Sequence, residues 1–174
     1  MPAREPTETT NLDTNYGNAP LPWGRPRDLL DRGALNDIGT SWLGTVRPDG
    51  RPHSAGVGAA WYDGDVFFQA GPETRKARNV QTNPACTVSA GLPGIDLVFE
   101  GTAERVTDAP TLEAIASIYR EGGWPVRVDG DTFTAPYTAP SGGPPPWHLF
   151  RIAVHTVFGV AGEEPHGATR WRFA

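Results

Sequence analysis

The sequence predicts a mainly β protein, a barrel of short antiparallel strands whose ends are closed by a few helices. Three observations support this fold class: the apolar segments are short, glycine-containing turns separate them, and strands do not alternate with helices as they do in βαβ units. The chain of 174 residues suits one domain. Its hydrophobic content of 38% is too high for a disordered chain.

The first segment, residues 1–26, is predicted to be an extended arm, because five prolines and two glycines interrupt it. A short helix is expected over residues 27–36, where leucines recur near helical spacing. We therefore predict a single barrel domain over residues 27–174.

A three-stranded meander is predicted next. Its strands cover residues 41–47 and 51–62, and a third strand begins at Val66. The turns between them contain Asp49-Gly50 and Asp63-Gly64, and an Asp-Gly pair supplies the positive φ that a tight hairpin needs. Consecutive strands joined in this way pair antiparallel.

Two further helices are predicted in the rest of the chain. One covers residues 73–82, with Thr74 near its start and Asn83-Pro84 at its end. Asp108 is expected to cap the other, an amphipathic helix that runs to about Arg120. The remaining strands of the barrel are predicted over residues 85–90, 95–106, 147–160 and 169–173.

Residues 122–146 are predicted to be a loop without regular structure, because they hold five glycines and six prolines. Aromatic residues lie in or beside this loop: Trp124, Phe133, Tyr137 and Trp147. They are either anchors in the core or a lid over a flat ligand, and the sequence favours neither. The loop is our candidate lid and specificity element.

Composition excludes several classes of function. A net charge of -5 and a pI of about 5.3 argue against nucleic-acid binding, which usually needs a basic face. No apolar run approaches the ~18 residues of a membrane span. The polar N-terminus carries no secretory signal, so a cytoplasmic protein is expected.

Cysteine and histidine chemistry is not expected either. The single cysteine, Cys86, excludes an internal disulfide and is expected to be a small core residue. No pair of the four histidines has the i,i+4 spacing of a helical zinc site, so no metal is predicted. His155 is expected to be a half-buried strand residue with its polar atoms satisfied.

Three cations lie within four positions at the start of the helix predicted over residues 73–82. Arg75 and Arg78 are three positions apart, and Lys76 lies between them. Cations at a helix N-terminus oppose the helix dipole, but an anion bound there removes the conflict. The alternative is a solvated basic face on a surface helix.

The strand predicted over residues 51–62 contains a run of small residues, Ser54-Ala55-Gly56-Val57-Gly58-Ala59-Ala60. Glycine inside a strand is costly and often marks the close approach of a ligand or another backbone. The run is not a dinucleotide-binding fingerprint, because the third glycine is missing and no helix follows.

The order of these features resembles the pyridoxamine 5'-phosphate oxidase-like superfamily, the flavin- and deazaflavin-dependent split-barrel oxidoreductases. The resemblance covers roughly residues 12–173. The segments that carry it are the hairpin, the small-residue strand, Thr74-Arg75-Lys76-Ala77-Arg78-Asn79, Asn83-Pro84 and Glu100-Gly101-Thr102-Ala103-Glu104-Arg105-Val106. The arm from Asn11-Leu12-Asp13 to Pro22-Trp23 and the closing Ala168-Thr169-Arg170-Trp171-Arg172-Phe173 look like the actinobacterial members.

The resemblance implies a six-stranded antiparallel split barrel of the FMN-binding type, and a homodimer with two cofactor sites at the subunit interface. Arg75 and Lys76 fall on the pair that grips the cofactor phosphate. The other residues that it implies in the cofactor site are Gly56, Val57, Gly58 and Ala59 along the ring, Gln69 and Ala70 at the end of a strand, Thr74, Arg78 and Asn79 on the helix, Asp96 facing the flavin, and Arg170 and Trp171 near the C-terminus.

Two departures favour the deazaflavin F420 over FMN. Ala55 and Ala60 stand where the vitamin B6 oxidase has an arginine and a lysine, so two of its phosphate-binding cations are absent. The Lys-x-Arg-Asn pattern of Lys76, Arg78 and Asn79 looks more like the branch that binds F420.

The resemblance therefore implies an oxidoreductase that transfers a hydride between F420 or FMN and a small planar organic substrate. No side chain is a compelling proton donor, so the catalytic residues are not predicted, and the named residues position the ligands. Two alternatives remain open: an FMN-dependent pyridoxamine 5'-phosphate oxidase-like enzyme, and a non-catalytic flavin- or tetrapyrrole-binding module on the same fold.

Overall fold

A computed structural model describes residues 4–174, and the first three residues of the predicted arm lie outside the described residues. Nine strands form one sheet and two short strands form a second. The strands are β1 (Glu8–Asn11), β2 (Ser41–Val46), β3 (Pro52–Val57), β4 (Ala59–Tyr62), β5 (Asp65–Ala70), β6 (Ala85–Leu92), β7 (Ile95–Val106), β8 (Arg127–Asp129), β9 (Thr132–Thr134), β10 (His148–Ala161) and β11 (Gly167–Arg172). The α-helices are α1 (Gly24–Asp31), α2 (Ala34–Asp37), α3 (Arg75–Thr82) and α4 (Ala109–Glu121).

The strand pairings form an open series that begins at β3 and ends at β4. Strand β2 pairs with β3 and β6, β6 with β7, β7 with β10, β10 with β5, and β5 with β4, all antiparallel. Strand β4 follows β3 directly after Gly58. The mainly β antiparallel fold is therefore confirmed, while the expected count of six strands stays a prediction.

The strand predicted over residues 51–62 is divided at Gly58, because its partner changes there. Residues before Gly58 pair with β2 and residues after it pair with β5. Among the described strands, β3 pairs with β2 alone, so its second edge is free of strand partners. The small-residue run thus lies where the barrel is split.

The core has two parts. Alternate residues of β2, β6 and β7 point into the barrel, as the period of two in a strand requires. Leu30 and Leu35 of α1 and α2, and Ala77 and Val80 of α3, join this first cluster, so the helices close the barrel as predicted. A second cluster packs α4 and the segment that follows it against the outer side of β5 and β10.

Several local predictions are corrected. The arm contains β1, which pairs with β11, and helix α1 begins at Gly24 rather than residue 27. The helix predicted over residues 27–36 breaks at Gly33, whose φ is 87°. The division of the chain at residue 26 stays a prediction.

The segment 122–146 is more ordered than its composition predicts. It contains the β8–β9 hairpin, and Phe133 and the adjacent Trp147 have no exposed surface. These two aromatics are core anchors, whereas Trp124 is half-buried and Tyr137 is exposed.

Two other predictions concern single side chains. His155 is exposed rather than half-buried, because its side chain lies on the outer face of β10. Cys86 is buried, as predicted, and burial raises the pKa of its thiol to about 12. None of the helices within residues 4–174 is long and apolar enough to cross a membrane.

Candidate functional site

Helix α3 begins at Arg75, two residues after the predicted start, and follows the Gly71-Pro72 turn. Thr74 is its N-cap: the Thr74 hydroxyl accepts a hydrogen bond from the Ala77 N–H at 3.4 Å and donates one to the Gly71 carbonyl at 2.7 Å. The cap fixes the first turn and directs its free N–H groups away from the chain that precedes it. An anion placed at this end would meet those groups and the positive end of the dipole.

The three cations of α3 differ in their surroundings. Arg75 and Arg78 are exposed, and Arg78 forms an ion pair with Glu73. Lys76 is only 3% exposed. Within residues 4–174 its ammonium has one hydrogen-bond partner, the carbonyl oxygen of Ser141. A lysine ammonium carries three donors, so one neutral acceptor leaves it poorly satisfied.

Burial lowers the pKa of Lys76, because desolvation disfavours the charged form. Two of these cations also act on His53. Its pKa is lowered by burial and by the charges of Arg47, Arg75 and Lys76. The positive potential of this region therefore reaches the start of β3. An incoming anion would relieve it.

Asn79 lies beneath the helix rather than on its surface. It has no exposed area, and its side-chain N–H donates to the Thr45 hydroxyl on β2 at 2.9 Å. The Asn79 side-chain oxygen is buried and has no partner among the described residues. The Asn79 side chain therefore holds α3 against β2, and Lys76 and Arg75 lie at the start of the same helix.

A cavity of about 460 Å³ runs along the free side of the small-residue strand. It collects Gly56, Val57, Gly58, Ala59 and Gln69, five of the residues predicted from the resemblance. Its other walls come from the segment before β2, from α4 and from the long loop: Asn36, Gly39, Thr40, Ile118, Tyr119, Gly122, Trp124, Ala139, Pro140 and Ser141. No charged side chain from residues 4–174 lines it.

A larger cavity of about 840 Å³, between α1, β4 and α4, contains none of the predicted site residues. The described part of the chain holds no cluster of three or more potential metal ligands.

Ser141 connects the uncharged cavity to the cations. Its hydroxyl donates to the Gly56 carbonyl at 2.8 Å, and its own carbonyl accepts the Lys76 ammonium. Sequence reasoning did not find Ser141, because a Ser-Gly-Gly run in a proline-rich loop predicts a turn and gives no partner. Tyr119, whose hydroxyl donates to the Gly58 carbonyl at 2.9 Å, was assigned only to the apolar face of a helix.

Other predicted site residues lie away from this cavity. Ala70 ends β5 and is fully buried. Trp171 is also fully buried and packs on Trp23, with ring centroids 5.4 Å apart. Its side chain therefore belongs to the core of this chain.

Asp96 and Arg170 lie on the outer face of the sheet. One row of cross-strand neighbours runs from β3 to β11 through Gly56, Trp42, Ser89, Val98, Phe158 and Arg170. Five strand spacings of ~4.8 Å put its two ends about 24 Å apart along the sheet. Asp96 is next to Val98 on the same face of β7. A role for these two residues in the cofactor site stays a prediction.

Comparison with known proteins gives one family match. The family profile described as "Pyridoxamine 5'-phosphate oxidase" matches residues 31–161. No curated protein matches the sequence.

Solved structures with a similar fold include a pyridoxamine 5'-phosphate oxidase-related, FMN-binding protein of Nostoc punctiforme. It is 19% identical over 86% of this chain and 90% of that chain, with a TM-score of 0.57. An F420 reductase is 20% identical over 80% of this chain and 98% of that chain, with a TM-score of 0.53. A heme-binding protein of Mycobacterium smegmatis is 13% identical over 78% of this chain and 55% of that chain, with a TM-score of 0.56. At these identities the similarity shows the fold alone.

Proposed function

The chain belongs to the pyridoxamine 5'-phosphate oxidase family, and we propose that it is an oxidoreductase that transfers a hydride between F420 or FMN and a small planar organic substrate. One observation carries this proposal. A buried lysine with a single neutral acceptor lies at the start of α3, next to an uncharged cavity along the small-residue strand.

The residues present suit a cofactor with a phosphate at one end and a flat ring at the other. Lys76, Arg75 and the first N–H groups of α3 would bind the phosphate. The backbone from Gly56 to Ala59 would support the ring, because glycine at two of these positions removes side chains from its path. When bound, such a cofactor supplies the hydride chemistry.

The protein itself orients and shields the reactants. Tyr119 fixes the Gly58 carbonyl and closes one wall, and the half-buried Ile118 and Trp124 form an apolar wall on the same cavity. These residues would accelerate the reaction mainly by holding two flat molecules face to face. No pair of side chains in the cavity is suited to general acid–base catalysis.

The charge of the cavity favours an uncharged substrate. Its lining has no cation that would balance a phosphate and no carboxylate that would balance an amine. A phosphorylated B6 vitamer would place its phosphate in an apolar site at a considerable cost in desolvation. We therefore propose a neutral planar compound rather than a B6 vitamer.

We favour F420 over FMN because positions 55 and 60 carry no positive charge. The resemblance places a phosphate-binding lysine at Ala60, but Ala60 has no exposed surface and packs in the second cluster of the core. Neither it nor Ala55 supplies a positive charge, so FMN would lose two of the cations that hold its phosphate in the vitamin B6 oxidase.

We further propose a homodimer formed through the outer face of the sheet. Trp42 is 57% exposed and Val160 is 55% exposed on this face. Arg170 lies five strand spacings from Gly56, too far to reach a ligand bound at Gly56 of the same chain, and Asp96 lies on β7, three strands away from β3. A second copy packed on this face would bring its own Asp96 and Arg170 towards that ligand.

A fluorescence titration of the ligand-free protein with F420 and with FMN, run side by side, tests the proposal. We expect saturable binding of F420 and weaker binding of FMN. Tighter FMN binding would overturn the preference for F420, and saturation by neither would overturn the cofactor site.

A second step separates an enzyme from a binding module. The F420-loaded protein is reduced by a dehydrogenase and mixed with a neutral quinone. Reoxidation that depends on the quinone supports the enzyme, whereas no reoxidation by a panel of neutral planar acceptors would support a non-catalytic module.

A further inference from the structure

A short strap, residues 139–143, closes over the proposed phosphate site. Three hydrogen bonds hold it there. The Lys76 ammonium donates to the Ser141 carbonyl, the Ser141 hydroxyl donates to the Gly56 carbonyl at 2.8 Å, and the Gly71 N–H donates to the Gly142 carbonyl at 2.9 Å. The strap thus contacts β3, the turn before α3 and α3 itself, and it fills the split between them.

The closed strap leaves polar groups poorly satisfied. The Lys76 ammonium is buried against one neutral oxygen. The side-chain oxygen of Gln69 is buried without a partner among residues 4–174, and a Cβ on Gly142 would lie 3.3 Å from it. A buried donor or acceptor without a partner costs free energy that a ligand could recover. The strap therefore covers the site but leaves unsatisfied some of the hydrogen-bonding groups that a ligand could satisfy.

The strap is also built to move as a unit. Ala139 and Gly143 exchange two backbone hydrogen bonds of 3.0 Å, which close a compact turn. The turn consists of small residues, and beyond it Trp147 is anchored in the core, with its indole N–H donating to the Gly143 carbonyl at 3.0 Å. Lifting the turn breaks the three hydrogen bonds to Lys76, Gly56 and Gly71 and withdraws Ala139 from the second core cluster, while Trp147 stays anchored in the core.

We propose that residues 139–143 are a ligand-displaced gate in which the Ser141 carbonyl holds the place of a cofactor phosphate oxygen. A phosphate replaces that carbonyl on Lys76, and the strap leaves the split as the ligand enters. The apparent affinity is then reduced by the fraction of molecules in which the strap is closed. This inference rests on the proposed function, because it assumes that the ligand binds at Lys76.

The variant Ser141→Ala tests the gate, because it removes the bond to Gly56 and keeps the carbonyl that Lys76 uses. Thr132→Ala is the matched control: its hydroxyl donates to the Asp129 carbonyl in the exposed hairpin of the same segment. In the ligand-free proteins we expect deuterium exchange at the Gly71 N–H to be at least threefold faster in Ser141→Ala than in the control and the parent.

The second measurement is the affinity and association rate of FMN and F420. We expect Ser141→Ala to bind about 3- to 10-fold more tightly and to associate faster, because less of the protein is closed. Weaker binding would overturn the gate, since the hydroxyl would then be a ligand contact. Unchanged exchange and unchanged binding would also overturn it.

Failure of the proposed function has a different signature. If neither FMN nor F420 binds the parent or Ser141→Ala, the cofactor site is wrong and the gate with it, even if Gly71 exchanges faster. If only Ser141→Ala binds, the site is correct and the gate is supported. If both bind with equal affinity and rate, the cofactor site survives and the gate alone fails.

Discussion

Lys76 is the only lysine in the chain, and it is buried at the wrong end of a helix for a cation. The side chain cannot gain from the helix dipole, and desolvation opposes its charge. A residue with this double cost is expected to be compensated by a ligand. This is the physical reason to place the phosphate of a cofactor beside it.

Replacing Lys76 by alanine is expected to weaken cofactor binding. A hydrogen bond to a charged group contributes about 1.5–3 kcal/mol, so the dissociation constant should rise by about 10- to 150-fold. Titration of F420 and FMN by fluorescence measures this. The control is Arg127→Ala, which removes a positive charge from the exposed strand β8. Equal affinities in the Lys76 variant and the control would contradict the assignment of an anion site at Lys76.

The lowered pKa of Lys76 predicts two opposite trends at alkaline pH. Its folded-state pKa lies below that of the unfolded chain, so unfolding takes up a proton between the two values, and ligand-free stability contributed by this group rises with pH there. Phosphate binding falls in the same range, because the ammonium is lost.

Urea unfolding and cofactor titrations from pH 7 to 10 measure both trends. The variant Lys76→Met, which does not titrate at this position, should lack both of them. A parent protein whose affinity follows the same pH profile as the variant would contradict the assignment.

Among the elements, β7 and β10 are in close contact at Gly101. At Gly101 a Cβ would lie 2.4 Å from the Ala153 carbonyl oxygen and 2.6 Å from the Ile152 Cγ2. The register of β10 shifts just beyond, between Val154 and Thr156. The backbone of β10 can therefore approach β7 only because residue 101 has no side chain.

Gly101→Ala is expected to lower the free energy of unfolding by about 1–3 kcal/mol, because the added methyl group must push a backbone carbonyl. The comparison is Gly162→Ala, where a Cβ meets nothing within 4 Å and φ is not positive. Urea unfolding followed by tryptophan fluorescence measures both. Equal stabilities of the two variants would show that β10 moves freely.

Elements defined by local signals were predicted well. The hairpin at Asp63-Gly64 forms with φ of 49° and 82°, and α3 and α4 begin after Thr74 and Asp108 as their caps require. The break at Gly58 was not predicted, because it follows from a change of strand partner and not from the residue itself.

The candidate site divides in the same way between local and distant signals, and its role in binding a cofactor stays a prediction. The cations of α3 and the small-residue strand are local patterns and were visible, whereas Ser141 approaches Lys76 across 65 positions of sequence. For the long loop, the structure argues against a deletion as the test of the candidate lid. Deleting residues 122–146 would remove Phe133 and Val126 from the second cluster of the core, so a loss of turnover would not identify a lid.

At the scale of the whole molecule, the two sides of the sheet differ. One outer side is covered by α4 and the β8–β9 hairpin, which bury Phe67 and Leu149. The other side, formed by β2, β6, β7 and the second half of β10, leaves Trp42 and Val160 exposed. Large apolar side chains on one uncovered face are typical of an interaction surface.

Trp42→Glu is expected to convert a homodimer into a monomer, because it buries a charge at the centre of the proposed interface. Sedimentation should give twice 18.7 kDa for the parent and 18.7 kDa for the variant. Tyr62→Glu is the control, since Tyr62 is 40% exposed on β4, outside the proposed interface. Circular dichroism establishes that both variants are folded.

If Asp96 and Arg170 of the second copy complete the cofactor site, Trp42→Glu also weakens F420 binding while the control does not. A monomeric parent at 50 µM that binds F420 would contradict the dimer and assign the whole site to one chain.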